Sequence, residues 1–238
     1  MKRDPEMTEQ LQDMGKRLAG RYAADLVEEG MVVGLGTGST VLFAMERLAE
    51  RMNEGLSLCG VPTSYQAELR ARTFGIPLTS LAECCELDLA IDGADQVDPS
   101  LRLIKGRGAA QTRERCIAEA ARRLVIVVDE RKVVGSFSAP VPVEVISFAV
   151  PLVASRLAGM GGSPVVREGV SKDGPVITDN GNWVIDCTFP SIDDPDALET
   201  AINTLPGVLS CGLFCEFAEK TTVVIGEKEG IRTLHAEI

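Results

Sequence analysis

Three short stretches of this 238-residue chain carry side chains that could do chemistry: Asp92-Gly-Ala-Asp95, Lys105-Gly-Arg-Gly-Ala109 running on to Glu114, and Asp129-Glu-Arg-Lys132. Two carboxylates close together in a water-poor crevice repel, so one can hold a proton near neutral pH. Gly93 and Ala94 between them leave room for a substrate against the backbone, and the set suits proton transfer to and from sugar oxygens. Each stretch also has a plainer reading. DGAD can be a turn with an aspartate helix cap, KGRG a solvated loop, and Lys132 and Lys16 ordinary surface lysines. Glu114 can sit on an exposed charged helix face.

A fourth stretch, MVVGLGTGST (Met31–Thr40), is an apolar run entering a glycine-rich turn. It satisfies neither nucleotide fingerprint: GxGxxG needs a glycine where Ser39 stands, and GxxxxGK[ST] needs a lysine that is absent. Its backbone N–H groups, its hydroxyls and the positive end of the following helix still suit a phosphate dianion. The alternative is a tight turn in which Ser39 or Thr40 merely caps that helix.

The elements that must position these stretches follow from periodicity. Helical spacing of apolar residues runs from about Thr8 to Glu29, then MVVGL reads as a strand and VLFAMERLAERM as a helix. LSLCGV, LDLAID and LVIVVD read as strands, alternating with helices in SYQAELRARTFG and AAQTRERCIAEAARR. This alternation predicts a parallel sheet with right-handed crossovers, and ligands of such sheets bind beyond the carboxyl ends of the strands. The residues after these strands are Gly36–Thr40, Pro62–Ser64, Asp92–Asp95 and Asp129–Lys132, so hydroxyls, carboxylates and a lysine are expected on one rim.

After Val134 the texture changes to GSFSAPVPVEVI, which reads as a domain crossing. VPVEVI, FAVPLVASRLAG, PVVRE, the NG-turned pair VITDNGNWVIDCTF, DPDALETAINTL and VLSCGLF give the β-α-β-β-α-β order of a ferredoxin-like module. KTTVVIGE then reads as a strand rejoining the first sheet. The expected architecture is α/β: a Rossmann-like parallel-sheet domain (1–138 plus 216–238) with an inserted, smaller ferredoxin-like α/β domain (139–215).

Composition narrows the chemistry. A formal net charge of −11 disfavours nucleic acid and anionic membrane surfaces, so an anionic ligand needs a local basic cluster. The opening MKRDPEM lacks the apolar block of a signal peptide and no apolar run reaches membrane-spanning length, so a cytoplasmic location is expected. Seven scattered cysteines without CxxC spacing point to free thiols, and one histidine, His235, leaves little for a zinc site or a Ser-His-Asp mechanism. Acid–base work then falls to carboxylates and lysines.

The ordered set GLGTGST, DGAD, KGRGAAQTRE, VDERK, PVPVEVI and TDNGN closely resembles ribose-5-phosphate isomerase of the A type, across most of the chain. The resemblance implies interconversion of D-ribose 5-phosphate and D-ribulose 5-phosphate in the non-oxidative pentose phosphate pathway, without metal or organic cofactor, by a homodimer or homotetramer. It places Thr37, Gly38, Ser39 and Thr40 in the phosphate and substrate loop and matches Asp92 and Asp95 to paired aspartates within Asp92-Gly93-Ala94-Asp95. Lys105 becomes the lysine of a substrate segment Lys105-Gly106-Arg107-Gly108, Glu114 the catalytic base, and Lys132 a further substrate-binding lysine.

An aldose–ketose isomerase must open the sugar ring, move a proton between C1 and C2, and stabilise the enediolate between those steps. Those demands fit Glu114 as proton shuttle and Lys105 beside the oxyanion, with Asp92 assigned ring opening and Asp95 the orientation of hydroxyls. Two positions depart from the commonest pattern: Gln96 stands for a glutamate and Arg107 for a glycine, both making the rim more positive. PTSYQAE retains Ser64 of a serine-rich strand end. The rival readings are a sugar-phosphate sensor domain without turnover and an acyl-CoA transferase of related fold.

Overall fold

The computed structural model describes residues 5–228 and 230–236, with side chains from Asp13 onward. In chain order the elements are α1 (Pro5–Asp25), β1 (Val32–Leu35), α2 (Ser39–Asn53), β2 (Cys59–Pro62), α3 (Tyr65–Thr73), β3 (Leu89–Asp92), β4 (Gln96–Val97) and β5 (Leu103–Ile104). They continue with α4 (Gln111–Ala120), β6 (Leu124–Asp129), β7 (Val141–Val145), α5 (Val150–Gly159), β8 (Ser163–Val166) and β9 (Trp183–Thr188). The last are α6 (Pro195–Asn203), β10 (Val208–Cys211), β11 (Leu213–Phe214), β12 (Thr221–Glu227) and β13 (Gly230–His235).

The main sheet has the order β13-β12-β6-β3-β1-β2, parallel throughout except for β13. β6 sits near its centre and every residue of LVIVVD is buried, as a strand covered on both faces must be. α1 and α2 cover one face, where Ala23, Val41, Met45 and Leu48 pack with Val33, Leu89 and Val127. Arg51 donates to the Ala24 and Val27 carbonyls (2.6 and 2.7 Å), satisfying one acceptor in the last turn of α1 and one just beyond it. α4 covers the other face through Ile117 and Ala118. It lies so close to β1 that a Cβ on Gly34 would stand 2.4 Å from Ile117 Cγ2. Truncating a fully buried residue such as Leu89 to alanine is expected to cost about 2–5 kcal/mol.

The second sheet, β10-β7-β9-β8, is antiparallel and, with α5 and α6, follows the ferredoxin-like order. The reading of VITDNGNWVIDCTF as a strand pair is corrected: Ile177 makes only an isolated bridge to Trp183, while WVIDCT pairs with β7 and β8. The stretch VLSCGLF is also split. β10 belongs to the second sheet, and β11 joins β5 and β4 in a small third sheet absent from the sequence reading.

The break falls at Gly212, whose N–H donates to Pro142 O (2.6 Å) and whose carbonyl accepts from Lys105 N (2.8 Å). A Cβ there would lie 2.2 Å from Lys105 O, so glycine is required for the crossing. KTTVVIGE does rejoin the first sheet, as β12 beside β6, but the antiparallel edge strand β13 was not foreseen. All seven cysteines are unpaired. Among the described residues no helix is long and apolar enough to cross a membrane.

Candidate active site

The loops after β1, β3 and β6 and the segment between β5 and α4 meet on one rim around a cavity of about 510 Å³. Thr37, Gly38, Ser39, Thr40, Gly93, Ala94, Asp95, Lys105, Gly106, Arg107, Gly108, Glu114 and Lys132 all line it. Of the residues that the family resemblance places in the site, Asp92 alone lies behind the wall, 4 % exposed. Lys16, Gln66 and Arg131 also reach the cavity. On sequence grounds Lys16 is either an ordinary surface lysine or part of a local positive field, and Arg131 within VDERK carries no assigned role.

The phosphate-type loop is built by close approach. A Cβ on Gly36 would stand 2.2 Å from Asp92 Oδ1, so the loop can cross the end of β3 only with glycine there. Gly38, at φ 126°, precedes α2 without a side-chain cap, and no acidic residue occupies the helix's first turn. Ser39 and Thr40 lie inside that first turn instead of capping it. The N–H groups and the positive end of a 15-residue helix therefore face the cavity uncompensated by a side chain. Thr37 Oγ1 is held between Thr63 Oγ1 (3.0 Å) and Ser64 Oγ (2.6 Å), and Arg70 donates to Gly38 O at 3.0 Å.

At the opposite wall Lys105, 4 % exposed, is surrounded by acceptors. Its ammonium donates to Gly93 O (2.5 Å) and lies 3.0 Å from Asp92 Oδ2 and 3.1 Å from Glu114 Oε2. Burial opposes its charge, but the two carboxylates outweigh that and hold it above the ordinary lysine value. Asp92 is further committed, since its Oδ1 accepts from the Thr37 and Gly93 N–H groups (3.2 and 2.8 Å). Glu114 is the less satisfied carboxylate: its Oε2 contact with Lys105 lacks hydrogen-bond geometry, and the residue is 6 % exposed. Burial, then the negative charge of Asp92, push its carboxyl up to about 8 against the opposing effect of Lys105.

Asp95 accepts the Arg107 N–H at 2.9 Å, which ties the two substrate-facing turns together. Gly106 (φ 104°) and Ala109 (φ 57°) bring the chain from β5 into α4, leaving the Arg107 side chain exposed at the rim. Arg131 is engaged by Asp129 at 2.8 Å, whereas no hydrogen bond engages the Lys132 ammonium among the described residues. Gln96 exploits its amide: it accepts from Ser138 and Ala139 N–H and donates to Ser138 Oγ (2.9 Å), which a carboxylate could not do. His235 sits on β13 beside Thr222 and takes no part in the cavity. A buried base, a cation and a phosphate-type loop on one cavity can bind an anionic sugar and move protons on it.

The chain matches the family described as ribose 5-phosphate isomerase A (phosphoriboisomerase A) over residues 59–230. It is 55% identical to the ribose-5-phosphate isomerase A of Methanoregula boonei over 90% of each chain. The structure of ribose 5-phosphate isomerase A from Methanocaldococcus jannaschii superposes with a TM-score of 0.89 at 42% identity, covering 96% of this chain and 99% of that one. A D-ribose-5-phosphate isomerase solved in complex with phospho-erythronic acid gives 0.90 at 46% identity, over 93% and 97%. With a site of this geometry and relatives matched along nearly their whole length, the chain belongs to the ribose 5-phosphate isomerase A family.

Proposed function

We propose that this protein interconverts D-ribose 5-phosphate and D-ribulose 5-phosphate through an enediolate. The observation that carries the reading is the placement of Glu114 and Lys105 on the same cavity as the uncapped N-terminus of α2. The substrate phosphate sits on the Thr37–Thr40 loop, with Lys132 and Lys16 supplying the local positive charge that a chain of net charge −11 otherwise lacks. Glu114 removes the C2 proton of the opened aldose and returns it at C1. Its raised carboxyl value, about 8, makes it a stronger base than an exposed glutamate. Lys105 stabilises the developing oxyanion, a contribution of about 3 kcal/mol for one well-placed donor in a dry site.

The geometry favours Asp95 over Asp92 for ring opening. Asp95 lines the cavity and meets the sugar hydroxyls during ring opening, while Asp92, spent on Thr37, Gly93 and Lys105, holds the lysine in place. A relative's complex with phospho-erythronic acid supports the reading, because a sugar acid's planar carboxylate resembles an enediolate in charge and shape. The same proposal includes a cytoplasmic homodimer or homotetramer, divided into the 1–138 plus 216–238 unit and the 139–215 unit.

The direct test is interconversion of the two pentose phosphates by purified protein in heavy water, with and without a chelator. Turnover that survives chelation and places deuterium on substrate carbon is expected. Binding without turnover would make the protein a sugar-phosphate sensor instead.

A further inference from the structure

Both sequence neighbours of Glu114 on α4 are arginines, and both are gripped by residues beyond Val141. Arg113 reaches the turn between Thr178 and Asn182. Its Nε donates to Asn180 Oδ1 and its Nη2 to Asp179 O, each at 2.8 Å, while its guanidinium lies 4.8 Å from the Tyr65 ring centroid. The turn is fixed from beneath by Glu144, which is fully buried. One carboxylate oxygen of Glu144 accepts from Thr178 Oγ1 (2.7 Å), Asn180 Nδ2 (3.1 Å) and Asn182 Nδ2 (3.0 Å). Gly181, at φ 82°, lets the backbone close on itself there.

The same turn touches the other wall of the site. Asp179 Oδ2 accepts the N–H of Tyr65 at 2.7 Å, the first residue of α3, next to the Ser64 that holds Thr37. One five-residue turn thus anchors the helix that bears Glu114 and, through Ser64, the loop proposed to hold phosphate. We propose that the Thr178–Asn182 turn, acting through Arg113, is a positioning device that fixes Glu114 relative to Lys105 and the Thr37–Thr40 loop. The proposal rests on Glu114 being the group that moves the proton.

The chemistry of the contact explains its composition. Asn180 turns its carbonyl oxygen to Arg113 and its amide nitrogen to Glu144, so a single planar side chain transmits the position of β7 to α4. The planar guanidinium fork makes two hydrogen bonds in one plane, which a lysine cannot reproduce. Proton transfer is sensitive to displacements of an ångström, which cost about a hundredfold in rate. A tie serving stability alone would have no reason to meet both walls of the cleft.

The test compares Asn180→Ala, Arg113→Lys, Arg113→Ala and the double variant Arg113→Ala/Asn180→Ala with the parent and with Glu114→Gln. For Asn180→Ala, kcat is expected to fall about 10–100-fold with KM changed less than about threefold, because position and not binding is lost. The rising limb of its pH–rate profile moves to lower pH as Glu114 relaxes toward water. Arg113→Lys follows in the same direction, and the double variant is no slower than Arg113→Ala alone, as expected for one shared contact. An Asn180→Ala enzyme with the parent's kcat and pH profile, whatever its melting temperature, overturns the proposal. If that variant does not fold, Arg113→Lys decides by the same two readouts. Full turnover by Glu114→Gln would instead remove the premise, so the two failures are distinguishable.

Discussion

Glu114 and Arg115 are adjacent on α4, about 100° apart around its axis, and sit in charge clusters of opposite character. Arg115 is saturated: it binds Ser210 Oγ (2.9 Å), Glu199 Oε1 (2.8 Å), Glu216 and the Leu213 carbonyl, and it stacks 4.3 Å from the Phe214 ring centroid. Nε and Nη2 of the guanidinium join α4 to β10, β11 and α6, and Nη1 reaches Glu216. Glu114 shares one lysine with Asp92 and retains an oxygen without a proper hydrogen bond. A buried carboxylate left short of partners costs stability and gains basicity, whereas a largely covered arginine bonded to carboxylates and carbonyls holds the elements around it together. Two neighbouring residues thus separate the work of the reaction from the work of holding the fold.

The contrast is sharpest under substitution. Glu114→Gln is expected to lower kcat by about 10³-fold or more while leaving the melting temperature at or above the parent's, since an uncomfortable carboxylate becomes a neutral amide. The sign with pH follows from a folded value of about 8 lying above the ordinary 4.5. The stability contributed by the retained proton is complete below the unfolded value and lost as pH rises through about 8. Melting curves of parent and variant between pH 6 and 9 check this: the parent should lose more. Equal losses would place the proton elsewhere.

Arg115→Ala should show the opposite pattern, destabilising by about 3–5 kcal/mol because it strands a buried Glu199. Denaturant unfolding measures that cost. A change within about 0.5 kcal/mol would erase the distinction between the two clusters.

The smallest effect belongs to Asp92→Asn. Removing its charge takes away the second-largest influence raising the Glu114 carboxyl, so the rising limb of kcat/KM should move to lower pH. An unmoved limb would show that burial alone sets the basicity of Glu114.

Much of this arrangement was legible in the sequence because it depends on local rules. Apolar runs of four to six residues ending in aspartate or followed by glycine marked β1, β3 and β6, and the carboxyl-end rule then gathered Thr37, Asp95 and Lys132 on one rim. The two-residue strands β4, β5 and β11 carry no periodicity to detect. Arg113 meets Asn180 only through tertiary register, so nothing in the sequence singled it out beside Glu114. The withdrawal of Asp92 behind Lys105 was equally hidden, since the spacing of DGAD leaves open which carboxylate faces the substrate.

Gly212 carries one more implication, for the timing of activity during synthesis. The Lys105 N–H finds its acceptor on Gly212, and β12 flanks β6, so both sides of the cleft depend on late segments of the chain. On a ribosome, β1 to β6 emerge first and can begin to associate, yet the lysine's backbone has no anchor until residue 212 clears the exit tunnel. The nascent enzyme should therefore be silent until Gly212 and β12 have emerged.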